Sequence, residues 1–249
     1  MKLTVSDFIA RKGQTPITML TAYTTPVAKC LENAGIEIIL VGDSLGMVEM
    51  GFESTQDVTM EHMEYHIGAV RRGAPNTHII GDMPYKSTQT VEMSIQNAKR
   101  LIAAGADSVK IEGPECANIQ GIVNAGIAVV GHTGLTPQTA KNFKQVGNSE
   151  QDIIRLKQDT QDICNAGVFM LVIEHTQPTL ASQLSKSISI PTIGIGAGNE
   201  CDGQVLVIND AAGLGDYWPP FTKQYAQVSQ TFVDVAKQFK QDVETKQFP

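Results

Sequence analysis

The sequence predicts an α/β fold of the (β/α)8 TIM-barrel type, in which eight parallel strands close into a barrel inside a ring of helices. Three observations predict it. The chain has 249 residues, close to the usual size of one such barrel. Helical stretches repeatedly end in a small residue and a glycine, followed directly by a short apolar run. The apolar runs can be counted as eight strands.

The helix–glycine–strand unit is clearest at four places in the chain. At each of them a glycine can end the helix in the left-handed conformation without steric cost, and a strand begins within a few residues. The four helix ends are Asn33-Ala34-Gly35, Ala103-Ala104-Gly105, Asn124-Ala125-Gly126 and Asn165-Ala166-Gly167. Recurrent units of this kind indicate parallel strands joined by crossover helices.

The predicted strands are spread over the whole chain. They begin near Ile17, Ile36, His78, Ser108, Ala128, Phe169, Pro191 and Gly203. Helices are predicted over 90–104, 150–166 and 222–246, and a short helix over 6–12 is expected to close the barrel floor. No composition shift divides the chain, so residues 1–249 are predicted to form a single domain. A doubly wound open sheet is the rival fold, but the strand count and the spread of polar strand ends favour the barrel.

Composition limits the classes of function. Hydrophobic residues make up 42% of the chain and charged residues 18%, which is typical of a folded domain. The net charge is −7 and no basic block occurs, so we expect no nucleic-acid partner. Four scattered cysteines, and the lack of a signal core or an apolar run of about 18 residues, favour a cytoplasmic protein without membrane association.

Charged and polar residues occur where the predicted strands end. They are Asp43 and Ser44 after the second strand, Asp82 after the third, Lys110 and Glu112 on the fourth, His132 on the fifth and Glu174 at the end of the sixth. Barrel enzymes have their active sites at these carboxyl ends, so the residues should converge. Buried charges are costly unless a metal or substrate uses them. Structural salt bridges, with Lys110 as the central cation, are the alternative interpretation.

Two features of this set predict a magnesium site. Asp43 and Asp82 end neighbouring strands, and Mg²⁺ prefers a few carboxylate ligands with positions left for substrate and water. Lys110 and Glu112 are two residues apart on a strand and are expected to point together into the barrel. Zinc is disfavoured because His62 and His66 lack the remainder of a zinc motif.

Several strings of residues resemble the ketopantoate hydroxymethyltransferase family. They are VGDSLGM at 41–47, AVRRGAP at 69–75, VKIEG at 109–113, GHTGLTPQ at 131–138, IGIGAGN at 193–199 and DGQ at 202–204. The resemblance covers about 17–223 in the family's order. It implies a Mg²⁺-dependent TIM barrel, commonly a homodecamer, that converts 3-methyl-2-oxobutanoate, 5,10-methylenetetrahydrofolate and water to 2-dehydropantoate and tetrahydrofolate, the first committed step toward pantothenate.

The resemblance also implies roles for individual residues. Asp43 and Asp82 are the expected metal ligands and also contact the substrate, and Glu112 completes the metal environment directly or through water. Ser44 is expected to hold the substrate carboxylate, and Lys110 to contact the substrate. Glu174 is the expected proton acceptor. His132 receives no catalytic role.

The lid segment departs from the family pattern, and two other functions remain open. The family's lid has a Gly-Gly-Tyr-Lys-Val-Gln-Gly segment ending in a basic residue, whereas residues 142–149 here are shorter and lack it. The first alternative is a Mg²⁺-dependent lyase or mutase of the phosphoenolpyruvate mutase/isocitrate lyase type. It requires a reactive cysteine on a mobile loop, and Cys116 and Cys201 are not convincingly placed for that role. The second is a non-enzymatic binding barrel, supported by the altered lid alone.

Overall fold

The predicted barrel is present in a computed structural model, which describes residues 2–248. Eight parallel strands pair in sequence order and close on themselves. They are β1 Ile17–Thr21, β2 Ile38–Val41, β3 His78–Asp82, β4 Ser108–Glu112, β5 Val129–Gly134, β6 Met170–Glu174, β7 Thr192–Ile195 and β8 Gly203–Leu206. Each begins within two residues of its predicted start, which confirms the strand assignment.

Helices follow the strands as crossover connections. They are α1 Val5–Ile9, α2 Thr25–Asn33, α3 Leu45–Val48, a 3₁₀ turn Thr55–Asp57, α4 Met60–Gly73, α5 Val91–Ala104, α6 Cys116–Asn124, α7 Glu150–Asn165, α8 Pro178–Ser187, α9 Ile208–Ala212 and α10 Val228–Glu244. The described chain comprises two compact units, residues 2–205 and 206–248. The expectation of one domain over 1–249 stays a prediction.

The barrel floor is closed by α1, as the sequence predicted. Thr4 and Asp7 cap the helix reciprocally, which satisfies backbone N–H groups at its start. Phe8 is fully buried in the core cluster formed by inward side chains of the strands. Its ring meets the edge of the His78 ring at the start of β3, with the ring centroids 5.2 Å apart. The opposite end of the barrel carries the carboxyl ends of the strands.

Helix α10 begins later than predicted. The sequence placed its start near residue 222, but residues 222–227 are irregular and the helix begins at Val228. Tyr225 donates its backbone N–H to the carbonyl of Ala211, 2.7 Å away, so this N–H is not available for a helical hydrogen bond. Over the described residues no helix is long and apolar enough to span a bilayer.

Candidate active site

The polar strand ends point into the barrel because of the register of the parallel strands. Asp82 pairs with Lys110, Glu112 pairs with His132, and Gly134 pairs with Glu174. The positions between them face the helices, as a Cβ placed on Gly81 would lie 2.6 Å from Ile67 of α4. The fourth strand therefore presents Lys110 and Glu112 to the interior, as predicted from their spacing.

Asp43 and Asp82 form a buried pair at the ends of β2 and β3. The backbone N–H of Asp43 donates to Oδ2 of Asp82 over 3.1 Å. Oδ1 of Asp82 lies 3.2 Å from Nζ of Lys110 and is buried without a hydrogen-bond partner in the described structure. The salt bridge suggested as the alternative interpretation is thus present. This salt bridge does not account for all the charged residues of the site. The single ammonium ion of Lys110 faces four acidic side chains, those of Asp43, Asp82, Glu112 and Glu174.

The excess of carboxylates changes the proton affinities of the site. Burial and the neighbouring Asp82 carboxylate raise the pKa of Asp43 above its usual range, and burial raises the pKa of Glu112 to about 9. Burial alone would lower the pKa of Lys110, but the carboxylates of Asp82 and Asp43 hold it above its usual value. At neutral pH these raised pKa values favour protons on Asp43 and Glu112, and a bound cation can replace those protons and be held by the carboxylates.

The geometry fits a hard divalent cation with few protein ligands. Among the described residues, no group of three or more His, Cys, Asp or Glu side chains is arranged to hold a metal ion. Mg²⁺ is commonly bound through one or two carboxylates, with water and substrate at the other positions. The adjacent carboxylates of Asp43 and Asp82 meet that requirement. The Glu112 carboxylate instead accepts the backbone N–H of Gln138 over 2.8 Å, which suits a contact through water.

Ser44 directly follows Asp43 and is held by a buried tyrosine. Its Oγ lies 2.8 Å from the hydroxyl of Tyr23, which follows β1. Tyr23 is 1% exposed, and burial raises its pKa far above the usual range, so the phenol stays protonated. A protonated phenol can donate to Oγ of Ser44. The Ser44 hydroxyl can then donate to an anionic group of a ligand at the end of β2.

Glu174 ends β6, on the side of the eight-stranded barrel opposite β2. Its Oε2 is 3.3 Å from Nε2 of His132, whose other nitrogen, Nδ1, is 3.5 Å from Nζ of Lys110. An ammonium group can only donate, so Nδ1 accepts and the imidazole proton lies on Nε2, facing Glu174. Burial and the charge of Lys110 lower the pKa of His132, which keeps this ring neutral.

The backbone behind Glu174 is unusually close to β5. Gly134 adopts φ 99°, and a Cβ at this position would lie 2.2 Å from the carbonyl oxygen of Glu174. The carbonyl of Glu174 instead accepts the N–H of Leu135 over 2.8 Å. Glycine is required at this position because only it combines the left-handed conformation with that approach. The lid segment 142–149 runs past the same place, where Val146 forms a parallel bridge with Thr176.

Comparison with known proteins identifies the family. The chain matches the family model described as ketopantoate hydroxymethyltransferase over residues 2–249. It belongs to that family. The 3-methyl-2-oxobutanoate hydroxymethyltransferase of Thermosipho melanesiensis is 45% identical, over 99% of this chain and 96% of that protein. The protein of the same name from Saccharolobus islandicus is 44% identical, over 100% of this chain and 96% of its own length.

Solved structures show the same fold at low sequence identity. A putative phosphonomutase from Burkholderia cenocepacia J2315 superposes with a TM-score of 0.72 at 14% identity, over 96% of this chain and 100% of that one. A 2,3-dimethylmalate lyase, described as a member of the phosphoenolpyruvate mutase/isocitrate lyase superfamily, has a TM-score of 0.63 at 13% identity, covering 96% and 87% of the two chains. These similarities establish the barrel architecture.

The structure adds residues for which sequence reasoning gave no role. Gln138 contacts two acidic strand ends, His132 lies between Lys110 and Glu174, and Tyr23 holds Ser44. Gln138 and His132 lie inside the string at 131–138 that carried the family resemblance, which was the available signal. His62 and His66, the pair at which zinc was disfavoured, have structural partners. His66 forms a hydrogen bond with the carbonyl of Tyr23, and His62 caps the start of α4.

Proposed function

We propose that this chain transfers a hydroxymethyl group from 5,10-methylenetetrahydrofolate to 3-methyl-2-oxobutanoate, giving 2-dehydropantoate. The observation that carries the proposal is the arrangement of the strand ends, where Asp82 on β3 lies beside Lys110 on β4, and Glu174 ends β6 on the side of the barrel opposite β2 and Asp43. The family assignment supports the same reaction. A 2-oxo acid offers a carboxylate and a keto oxygen to the site formed by Asp43, Asp82 and Lys110. It offers an acidic C–H bond to Glu174.

The acidic strand ends are the proposed site of Mg²⁺. Asp43 and Asp82 would hold it, and Glu112 would contact it directly or through water. When bound, the ion supplies Lewis acidity that polarises the keto group and acidifies the adjacent C–H bond. This choice is supported by the surplus of acidic side chains over Lys110 and by Oδ1 of Asp82, which in the described structure is ion-paired with Lys110 but accepts no hydrogen bond.

The protein side chains divide the remaining steps. Ser44 binds the substrate carboxylate, oriented by the Tyr23 hydroxyl. Glu174 takes the proton from C3 of the oxo acid, and the electron pair left behind moves toward the keto oxygen. The ammonium of Lys110 stabilises that negative charge as it develops. C3 then forms a bond to the one-carbon unit of the folate, and both bonds from that carbon to the folate nitrogens break. Water supplies the new hydroxyl group, and the two nitrogens of the departing tetrahydrofolate take up the proton held by Glu174 and one proton of the water.

The thiols of the chain argue against a lyase or mutase that depends on an activated cysteine. Burial is the main influence on both Cys116 and Cys201, and it raises the pKa of each thiol. A raised pKa lowers the fraction of reactive thiolate at neutral pH. The structure therefore favours the transferase over this alternative.

The direct test incubates the purified protein with Mg²⁺, 3-methyl-2-oxobutanoate and methylenetetrahydrofolate and measures 2-dehydropantoate. We expect product in this mixture and none when EDTA is added. Asp82→Ala should abolish the reaction while the circular dichroism spectrum stays that of the parent. Product formation that is insensitive to EDTA would refute the metal assignment, and a folded protein without any product would indicate the binding barrel.

We further propose that the chain works as a cytoplasmic homo-oligomer whose partners are small molecules and copies of itself. The family resemblance suggests a homodecamer. Support comes from α10, in which no described side chain is buried and apolar residues recur along one face. Such a face on a folded protein is typical of a subunit interface.

A further inference from the structure

Gln138 contacts the ends of three strands at the acidic site. It lies in the loop that follows β5 and is only 9% exposed. Its Nε2 donates to Oδ2 of Asp43 over 2.7 Å and to the carbonyl of Met83 over 3.0 Å. Its backbone N–H donates to Oε1 of Glu112 over 2.8 Å. Gln138 thus contacts the acidic side chains of Asp43 and Glu112. It also contacts Met83, which directly follows Asp82.

These contacts restrain the carboxyl groups without supplying a positive charge. The amide supplies N–H donors and carries no net charge, so the surplus of carboxyl groups over Lys110 remains available to a cation. A carboxylate held by a neutral donor keeps one orientation and loses less freedom when it binds an ion. The two N–H groups on Nε2 are directed to different strands, which also restrains the spacing between the ends of β2 and β3.

We propose that Gln138 is a positioning residue that raises the affinity of the acidic site for divalent cations and couples this site to the loop after β5. The proposal rests on the proposed function insofar as that function places a metal at Asp43 and Asp82. It goes beyond that function by linking metal binding to the seating of residues 135–149, which end in the lid segment.

A second contact holds the loop in the same place. Nε2 of Gln56, in the 3₁₀ turn, donates to the carbonyl oxygen of Gln138 over 2.7 Å. Gln56 itself touches none of the acidic strand ends. Because linkage is reciprocal, a loop that strengthens cation binding when seated must itself be stabilised in that position by the cation. Metal binding should therefore protect the exposed Lys141 and Lys144 of this loop from trypsin.

The first experiment measures Mn²⁺ binding to the whole protein without substrate, by electron paramagnetic resonance of the free ion. Gln138→Met removes the side-chain donors, keeps the length and leaves the backbone bond to Glu112. We expect Mn²⁺ to bind 10- to 100-fold more weakly, as is typical when a group that orients a ligand is removed. The matched control is Gln161→Met on the outer face of α7, where the lost contact is to Asn165, and it should bind like the parent.

The second experiment follows trypsin cleavage at Lys141 and Lys144 with and without Mn²⁺. Trypsin should cut the parent more slowly when Mn²⁺ is present. It should cut Gln138→Met at the same rate with and without Mn²⁺. If Gln138→Met does not fold, Gln56→Leu serves instead, since it releases the loop without touching a carboxylate, and it should weaken Mn²⁺ binding to a smaller extent.

The outcomes separate this proposal from the proposed function. A parent protein that makes no product and binds no Mn²⁺ contradicts both. A parent that binds Mn²⁺ and makes product, alongside a Gln138→Met variant with unchanged Mn²⁺ affinity, overturns the role of Gln138 alone. Equal protection of the loop by Mn²⁺ in the parent and in Gln138→Met overturns the coupling.

Discussion

At the scale of single residues, the surroundings of Glu174 suit its proposed role as the base. Its side chain is one-fifth exposed, so a substrate can reach it, and the proton-bearing Nε2 of His132 faces its Oε2 from 3.3 Å. In the described structure Nε2 of His132 has no hydrogen-bond partner, so the contact with Glu174 is a close approach of the two groups. Under the proposed function, Glu174 has a catalytic role distinct from that of Asp43 and Asp82.

The first prediction concerns this base. Glu174→Gln keeps the shape but removes the basicity, so kcat should fall by roughly 10² to 10⁴, with little change in 2-oxo-acid binding. The measurement is exchange of the C3 hydrogen of 3-methyl-2-oxobutanoate in D₂O with Mg²⁺ and no folate, which the parent should catalyse and the variant should not. Glu200→Gln, at an exposed salt bridge with Lys186, is the control and should exchange like the parent.

Exchange at the parent rate in Glu174→Gln would contradict the assignment. Lys110 would then be the next group to test as the base, because its ammonium lies in the same mouth, 3.5 Å from His132.

The second prediction concerns His78 in the barrel floor, where Nε2 lies 2.9 Å from Oγ of Ser108. Burial lowers the pKa of His78 from 6.5 to about 4. The unfolded chain therefore binds this proton more readily than the folded chain does. As a result, the contribution of His78 to the free energy of unfolding is fully present above pH 6.5 and is lost as the pH falls toward 4. Between pH 7 and pH 5 the loss should be about 2 kcal/mol. Urea unfolding at both values should show this loss in the parent and a smaller one in His78→Gln.

An equal loss in His78→Gln and the parent would show that other groups set the pH dependence of stability. The acidic mouth acts in the opposite direction, because burial raises the pKa of Glu112 to about 9, so between pH 7 and pH 5 the folded chain holds a proton there that the unfolded chain binds only at lower pH. Comparing the variant with the parent cancels that contribution.

Sequence reasoning identified the charged residues of the site but not the residues that orient them. Asp43, Asp82, Lys110, Glu112 and Glu174 were visible because charge at the end of an apolar strand is unusual and costly. The contacts made by Gln138, in contrast, depend on the path of a loop through space. Neither the spacing nor the composition of residues 134–141 determines that path.

At the scale of elements, strands were easier to predict than the ends of some helices. Apolar runs, four of them preceded by a helix-ending glycine, predicted all eight strand starts within two residues, because burial on both faces of a parallel strand leaves a strong signal. The start of α10 has no such signal. Gln227, the residue before the helix, makes no side-chain capping hydrogen bond, so nothing local marks the boundary at Val228.

The third prediction concerns the lid segment 142–149. Lys144 and Phe143 are exposed, and Val146 ties the segment to Thr176 near the base. Replacing these residues with the family's Gly-Gly-Tyr-Lys-Val-Gln-Gly sequence, extended by its final basic residue, should lower the KM for methylenetetrahydrofolate more than the KM for the oxo acid. The physical reason is the added cation beside an anionic co-substrate. Steady-state kinetics with each substrate varied in turn provides the measurement.

The matched control for this exchange is the same graft with its final basic residue changed to glutamine. That protein should keep the parent's KM for folate if charge is the cause. If the full graft changes neither KM, the segment does not contact the folate.

At the scale of the whole molecule, α10 presents an apolar face that is largely exposed, with the ring of Phe248 packed edge-on against Phe239. Phe232, Val235, Phe239 and Val243 recur every three or four residues and are 59%, 63%, 55% and 48% exposed. This spacing places them on one side of the helix. Leaving such a surface in water forgoes the free energy that burial against another apolar surface would give. A second copy of the chain offers the same face, which is how symmetric interfaces become self-complementary.

The fourth prediction follows from that face. Multi-angle light scattering after size-exclusion chromatography should give the parent a mass several times the 26.8 kDa of one chain. Phe239→Glu places a charge in the centre of the apolar stripe, where burial in an interface would cost several kcal/mol, so the population should shift to smaller species. Gln241→Glu adds the same charge to the polar side of the same helix and should leave the mass unchanged. A parent that elutes as a monomer refutes the oligomer, whereas equal masses for the parent and Phe239→Glu place the subunit interface on a different surface of the chain.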